Sequence, residues 1–305
     1  MITERIGGQN MNFAPAKLEP PIRDEYTNST LPPVETGDVE VPLSFVYRLL
    51  ANTIVRRFLV LVGIAIVWQA YATWVDNPLI FPKFSDVMEA LWVGVSTGEI
   101  PARLITTLKT LGIGYAIGIL AATVFTILAV TTRIGTDILS TLTAMFNPMP
   151  AIALLPLALL WFGLGTGSLV FVIVHSVLWA VALNTHSGFL CVSQTQRMVG
   201  QTFGLKGASL IVRILIPAAF PSILAGLKIG WAFAWRTLIA AELVFGVASG
   251  TGGLGWFIYE KRNSLETVGV FAGLVTVMIV GLFVEGVVFR QIEKRTVIRW
   301  GQVQS

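Results

Sequence analysis

A single cysteine, Cys191, is all the thiol chemistry in this chain of 305 residues, and it excludes an internal disulfide. At the foot of an apolar stretch it reads as a small packing residue. Charge is scarce as well: only 12% of the residues are charged, about half the share of an ordinary soluble domain. The net charge of +4 is small and calls for no nucleic-acid partner. No G-x-x-x-x-G-K-[ST] loop is present, so ATP is not held here. Gly250 to Gly255 satisfies G-x-G-x-x-G, yet no strand precedes it and the dinucleotide context is missing. The two histidines, His175 and His186, lie eleven residues apart in one apolar stretch with no third ligand beside them. Packing or helix–helix hydrogen bonding suits them better than a metal. No convergent set of acids, bases or metal ligands marks an enzyme. No charged start runs directly into an apolar core and a small-residue cleavage site, so no secretory signal is read, and the Asn28-Ser29-Thr30 sequon falls in a segment read as cytosolic.

What the chain has in excess is apolar length: 54% of its residues are hydrophobic. Residues 1–42, rich in Pro, Thr, Asn and acids, read as a flexible cytosolic tail. Residues 43–57 mix apolar side chains with arginines at helical spacing. They read either as an amphipathic helix on the inner membrane surface or as a continuation of the first span. Residues 58–292 form the membrane domain and 293–305 a cytosolic tail. Six segments approach the ~20 residues needed to cross hydrocarbon. They are Phe58–Trp74, Leu108–Val130, Leu139–Gly163, Ser168–Leu190, Ile223–Val247 and Val268–Phe289, with a more polar helix over Phe84–Thr97 outside the membrane. The reading is an all-α membrane protein of six spans.

Asn147-Pro148-Met149-Pro150 and Pro156 interrupt the third span. Prolines free backbone carbonyls that lipid cannot satisfy. The segment is therefore either a kinked helix buried among others or a broken helix lining a path. With the N-terminus inside, fourteen Lys and Arg fall on the cytosolic side and four on the outer side, which favours both termini in the cytosol. Gly114, Gly118 and Ala122 share a face of the second span, and Gly226, Gly230 and Ala234 a face of the fifth. Small residues so spaced let helices approach closely, within the subunit or across a dimer. Lys228, Arg236 and Glu242 lie on the fifth span and Glu285 low on the sixth. Ionisable groups at membrane depth usually face a cavity or a partner. Trp235 and Glu242, seven residues apart, share a face, whereas Arg236 and Glu242 do not. Arg236 is read as attracting an anion and Glu242 as bracing an outer gate; structural hydrogen bonds are the alternative for both. Lys228 is expected to snorkel to the surface.

Between the fourth and fifth spans, Gly204 is followed by nine residues and then Ile214-Leu215-Ile216-Pro217, leading into Pro217-Ala218-Ala219-Phe220-Pro221-Ser222-Ile223-Leu224. Gly204 suits a turn and Pro217 would stop the loop's helix. The spacing resembles the cytoplasmic coupling loop of ABC-importer permeases, in the version of the nitrate, sulfonate and taurine permeases. Residues 148–156, 160–165, 240–242 and 253–258 resemble further signatures of that family. The resemblance implies a type I importer permease in the bacterial inner membrane, dimeric, working with ABC ATPase subunits and an extracytoplasmic binding protein. It implies no cofactor on this chain, with ATP and Mg on the partner ATPase. It places the coupling loop at about 196–217, with Met198, Val199, Gly200, Gly204, Leu205, Lys206, Gly207, Ala208, Arg213 and Pro217 in it. The expected translocation path takes in Asn147, Pro148, Pro150, Trp235, Arg236 and Glu242. One departure stands out: the family's Glu-Ala-Ala is Met198-Val199-Gly200 here, so the acidic contact is missing. A secondary transporter or channel without an ATPase is the rival reading; the loop argues against it.

Overall fold

In a computed structural model the described residues, 52–245 and 252–301, form helices joined by short turns, with no strand among them. Along the chain these are α1 (Thr53–Val75), α2 (Phe84–Ser96), α3 (Glu99–Thr131), α4 (Arg133–Phe146), α5 (Leu155–Phe162), α6 (Thr166–Leu190) and α7 (Gln194–Thr202). After them come α8 (Ala208–Leu210), α9 (Ile216–Phe245), α10 (Leu254–Asn263), α11 (Thr267–Phe283) and α12 (Arg290–Glu293). The tail expected at residues 1–42 lies outside the described residues, as does most of the expected interfacial helix. Residues 53–57 are described, and they are the first turn of α1.

Five helical stretches among the described residues are long and apolar enough to cross a membrane, and a sixth is assembled from two pieces. Arg133–Phe146 and Ala151–Phe162 meet at 89°, a break rather than a kink. The cause is local. Pro148 and Pro150 offer no N–H, so the ladder of α4 cannot run through them. The chain turns on a bond from Met149 N–H to the Phe146 carbonyl (3.1 Å) and restarts as a 3-10 turn over Ala151–Leu154. Pro156 causes no further damage, because it sits in the first turn of α5, where its missing N–H has no intrahelical role.

The hub of the bundle is α6, buried along most of its length from Ser168 to Phe189. Both small-residue stripes pack on it. A Cβ on Gly114 would stand 2.6 Å from Ile173 Cγ2, and one on Gly118 would stand 2.7 Å from Val177 Cβ. On α9, a Cβ on Gly226 would lie 2.8 Å from Asn184 Cβ. Ala122 and Ala234 are fully buried in the same core. The stripes thus seat α3 and α9 against α6 within one subunit, where dispersion contacts replace the hydrophobic drive that lipid removes. The outer surface is what lipid requires: Trp74, Leu120 and Leu160 are exposed.

Two expected boundaries shift. Pro217 does not stop the loop's helix. The chain passes from α8 through a π-helical turn at Ile211–Leu215 straight into α9. A π-turn is one way a helix absorbs a proline, because its longer bonding pattern bypasses the missing N–H. At the far end, helical turns continue from Val284 to Ile298. Val297 packs with Leu224 and Phe289, so part of the expected tail belongs to the folded unit. Lys228 does not snorkel free: its Nζ meets Glu293 Oε2 of that segment at 2.7 Å.

Candidate functional site

At the break in the third span, a cavity of about 370 Å³ opens between the turn and helices α6 and α9. Asn147, Pro148, Met149 and Pro150 form one wall, His175, Ser176 and Trp179 a second, and Phe233, Arg236 and Thr237 a third. Among the described residues no carboxylate lines it. The guanidinium of Arg236 is steered by its own helix: Nε donates to the Ala232 carbonyl at 3.0 Å, and the group lies over the Phe233 ring at 5.2 Å. Ser176 Oγ donates to the Val172 carbonyl of its own helix (3.1 Å) and shares a hydrogen bond with Thr237 Oγ1 (3.2 Å), linking α6 to α9. Trp179 stacks on Phe146 with ring centroids 5.4 Å apart, bracing the end of α4 beside the break.

Of the six residues expected on a path, Asn147, Pro148, Pro150 and Arg236 come together here. Trp235 and Glu242 do not. Trp235 is buried, stacks on Trp231 at 6.4 Å and borders a separate cavity of about 330 Å³ with Lys228, Glu285 and Phe289. Arg236 borders both cavities.

Glu242 sits in a junction of three helices. Its carboxyl accepts from the Thr107 hydroxyl of α3 (3.0 and 3.1 Å) and from the Gly255 N–H at the start of α10 (2.8 Å). Thr107 Oγ1 in turn accepts from Leu254 N–H at 2.7 Å. The carboxyl thus caps a helix whose own leading residue, Gly253, has no side chain to do so. The glycines of the apparent dinucleotide motif have a steric use here. A Cβ on Gly253 would collide with the Glu242 carboxyl, and one on Gly255 would stand 2.6 Å from Glu242 Cβ.

The loop between α6 and α9 is built on a helix end. Ser193 caps α7 by accepting from Gln196 N–H at 3.3 Å. At the other end, Gly204 N–H donates to the Gln201 carbonyl (2.9 Å) and Leu205 N–H to the Gly200 carbonyl (3.0 Å). That paired pattern needs a left-handed residue at its centre, and Gly204 has φ of 77°. Gly207 is left-handed too, at 53°, before the turn into α8. Gly200 is the tight spot, since a Cβ there would stand 2.6 Å from Leu210 Cδ1. A small residue is thus required where the family pattern ends in Ala. Met198 (56% exposed), Val199 (48%) and Phe203 (81%) present an apolar face, with Lys206 exposed nearby. Leu205 is half-buried, and Arg213 and Pro217 border a shallow pocket of about 290 Å³ with Val199. Ala208 opens α8. Phe203 escaped the sequence reading because one aromatic before a glycine carries no periodic signal. Thr107 and Thr237 escaped because threonines in lipid helices usually bond their own backbone.

An all-helical bundle with a broken span, a mostly apolar cavity carrying Arg236 at the break and an exposed loop of short helices defines a multi-pass membrane permease. Residues 114–297 match the family described as binding-protein-dependent transport system inner membrane component, and the chain belongs to that family. A putative ABC transporter permease protein of Methanocaldococcus jannaschii is 30% identical over 224 residues, covering 72% of this chain and 83% of its own. The taurine transport system permease protein of Escherichia coli is 30% identical over 247 residues, 78% of this chain and 87% of that one. The nitrate import permease protein of Synechocystis is 26% identical, covering 80% and 89%. This is an ABC-importer permease of the nitrate, sulfonate and taurine family, with the type I all-α fold, placed in the inner membrane.

Proposed function

We propose that this chain carries a small anion into the cytoplasm by alternating access, as the permease subunit of an ATP-driven importer. Two copies stand side by side, each docking its loop at residues 196–217 on an ATPase subunit. ATP and Mg bind that partner, and no covalent chemistry occurs on the permease. An extracytoplasmic binding protein delivers the substrate. ATP binding draws the ATPases together, the loops move with them, and the two copies swing between outward-facing and inward-facing states. The cavity at the break in the third span lies on the path, and Arg236 supplies its positive charge.

The observation that carries this reading is the loop. Its exposed Met198, Val199 and Phe203 sit beside Lys206 on short helices fixed by a left-handed glycine, an apolar face with a charged rim and no partner within the described residues. Apolar anchors of this kind are what a docking surface needs. Arg236→Gln tests the path. Uptake in proteoliposomes should fall while co-purification with the ATPase stays intact, and unchanged uptake would rule out a required charge.

A further inference from the structure

We infer that Glu285 is a positioning residue for transport, the resident counter-charge that takes the Arg236 guanidinium when no substrate anion holds it. The inference rests on the reading that Arg236 lies on the path. Three observations carry it.

The first is a pair of opposite charges without partners. Glu285 and Arg236 border the same cavity of about 330 Å³, between α9 and the end of the sixth span. Lys228 borders it as well, but its Nζ is held by Glu293 Oε2 at 2.7 Å. The Glu285 carboxyl makes no hydrogen bond or ion pair among the described residues. Arg236 uses only Nε, on the Ala232 carbonyl, which leaves its terminal nitrogens free. Ionisable groups at membrane depth are costly alone and pair with one another or face a cavity. The second observation is register. Down α9 toward its loop end, a Cβ on Gly281 would lie 3.8 Å from Trp235 Nε1, and Phe289 meets Trp231 with centroids 6.5 Å apart. Glu285 stands midway between Gly281 and Phe289, level with the turn from Trp231 to Trp235 and within about one turn of Arg236. The third is the backbone. Glu285 sits in a π-helical turn at Val284–Phe289, and unlike the π-turn before Pro217 it has no proline to absorb. Single π-turns inside helices recur at functional sites.

Arg236 also borders the cavity at the break, so one long side chain serves two chambers. Turned toward the break it faces the path; turned toward Glu285 it meets a carboxylate that its planar fork can grip with two hydrogen bonds. A substrate anion and Glu285 therefore compete for a single guanidinium. Arrival of the anion frees the carboxylate, and recapture of the arginine by the carboxylate helps the anion leave. A path must bind its cargo well enough to admit it and weakly enough to let it go. A built-in competitor weakens the hold without removing the charge that attracts.

The test has two arms. In the first, the thermal midpoint of the full-length permease in mixed micelles without substrate is measured for Arg236→Gln, Glu285→Gln and the double variant. Each single change strands one charge and should lower the midpoint by about 2–4 °C. The double variant strands none and should stand above both singles. Additive losses would overturn the pairing. In the second arm, Glu285→Cys in a Cys191→Ser background is assembled with the ATPase in proteoliposomes. ATP hydrolysis stimulated by loaded binding protein should fall severalfold. The anionic reagent sulfonatoethyl methanethiosulfonate returns a negative charge and should restore most of it, whereas the trimethylammonium reagent should not. Wild-type hydrolysis before labelling, equal effects of the two reagents, or failure of both to reach position 285 would overturn the role. If the cysteine variant fails to assemble, Glu285→Asp and Glu285→Gln replace it, and the acid should keep most of the stimulation that the amide loses. The Arg236→Gln uptake result separates the two levels. Lost uptake with additive midpoints leaves the path standing and removes only the counter-charge, whereas normal uptake in Arg236→Gln removes the path and this role with it.

Discussion

Removing the Glu242 carboxyl should loosen the whole outer end of the bundle, because three helices converge on it. In Glu242→Ala the Gly255 N–H and the Thr107 hydroxyl both lose their acceptor in a fully buried place. Each buried group left unsatisfied costs about 1–3 kcal/mol, so the substitution should destabilise by roughly 2–6 kcal/mol. Glu242→Gln keeps the shape but sets an NH2 against one of two donors. It should cost one such group, about 1–3 kcal/mol. Thr107→Val is nearly isosteric and also strips the acceptor from Leu254 N–H. If the groups act as a unit, Glu242→Gln in a Thr107→Val background should cost much less than in wild type. The assay is reversible denaturation in mixed micelles followed by tryptophan fluorescence, on single and double variants. A Glu242→Ala protein within about 0.5 kcal/mol of wild type, the range of neutral surface changes, would refute the clamp. Strict additivity in the double variant would refute its cooperation.

Other consequences follow from packing and topology. Gly114→Leu must force α3 off Ile173 of α6 and should cost about 1–3 kcal/mol by overpacking, read as a lower midpoint in the same denaturation. Gly63→Leu, where a Cβ meets nothing within 4 Å, should leave it unchanged. Lys228→Gln breaks a pair whose side chains are about a third exposed (32% and 37%), so it should shift stability by no more than about 1 kcal/mol. In a Cys191→Ser background, a cysteine at position 206 should resist impermeant reagents in intact cells while cysteines at 83 and 261 react; labelling at 206 would invert the topology.

The parts of this fold that were legible in the sequence are those with a single physical meaning in lipid. Gly114, Gly118, Gly226 and Gly230 announce close packing because nothing else explains small residues at that spacing, although only the structure shows that both sets face α6. Asn147 to Pro150 announced an interruption; the 89° break depended on where the chain could find new bonds, and that is tertiary information. The facing of Trp235 and Glu242 was not legible. The ionisable groups of this span turn to different partners and give it no single polar face, so Trp235 went to the core and Glu242 to a junction with Thr107, 135 positions away. His175 read as packing, and its ring does lie edge-on to Phe146 and Trp179; that it also borders a cavity with Arg236 arises only when α6 and α9 meet. Pro217 read as a stop because the π-turn that carries the helix past it leaves no residue signature.

The central claim, that residues 196–217 couple this permease to an ATPase, is best tested at Gly204. Its left-handed φ of 77° leaves open space at the Cβ position, so a side chain there meets strain rather than crowding within this chain. Asparagine tolerates that conformation and a β-branched residue does not. ATP hydrolysis stimulated by loaded binding protein would be measured in proteoliposomes containing the full transporter with wild type, Gly204→Asn or Gly204→Val. The account predicts coupling retained in large part by Asn and lost with Val, with the Val permease still inserted and folded. Wild-type stimulation in Gly204→Val would show that this segment is an ordinary loop and would contradict the account.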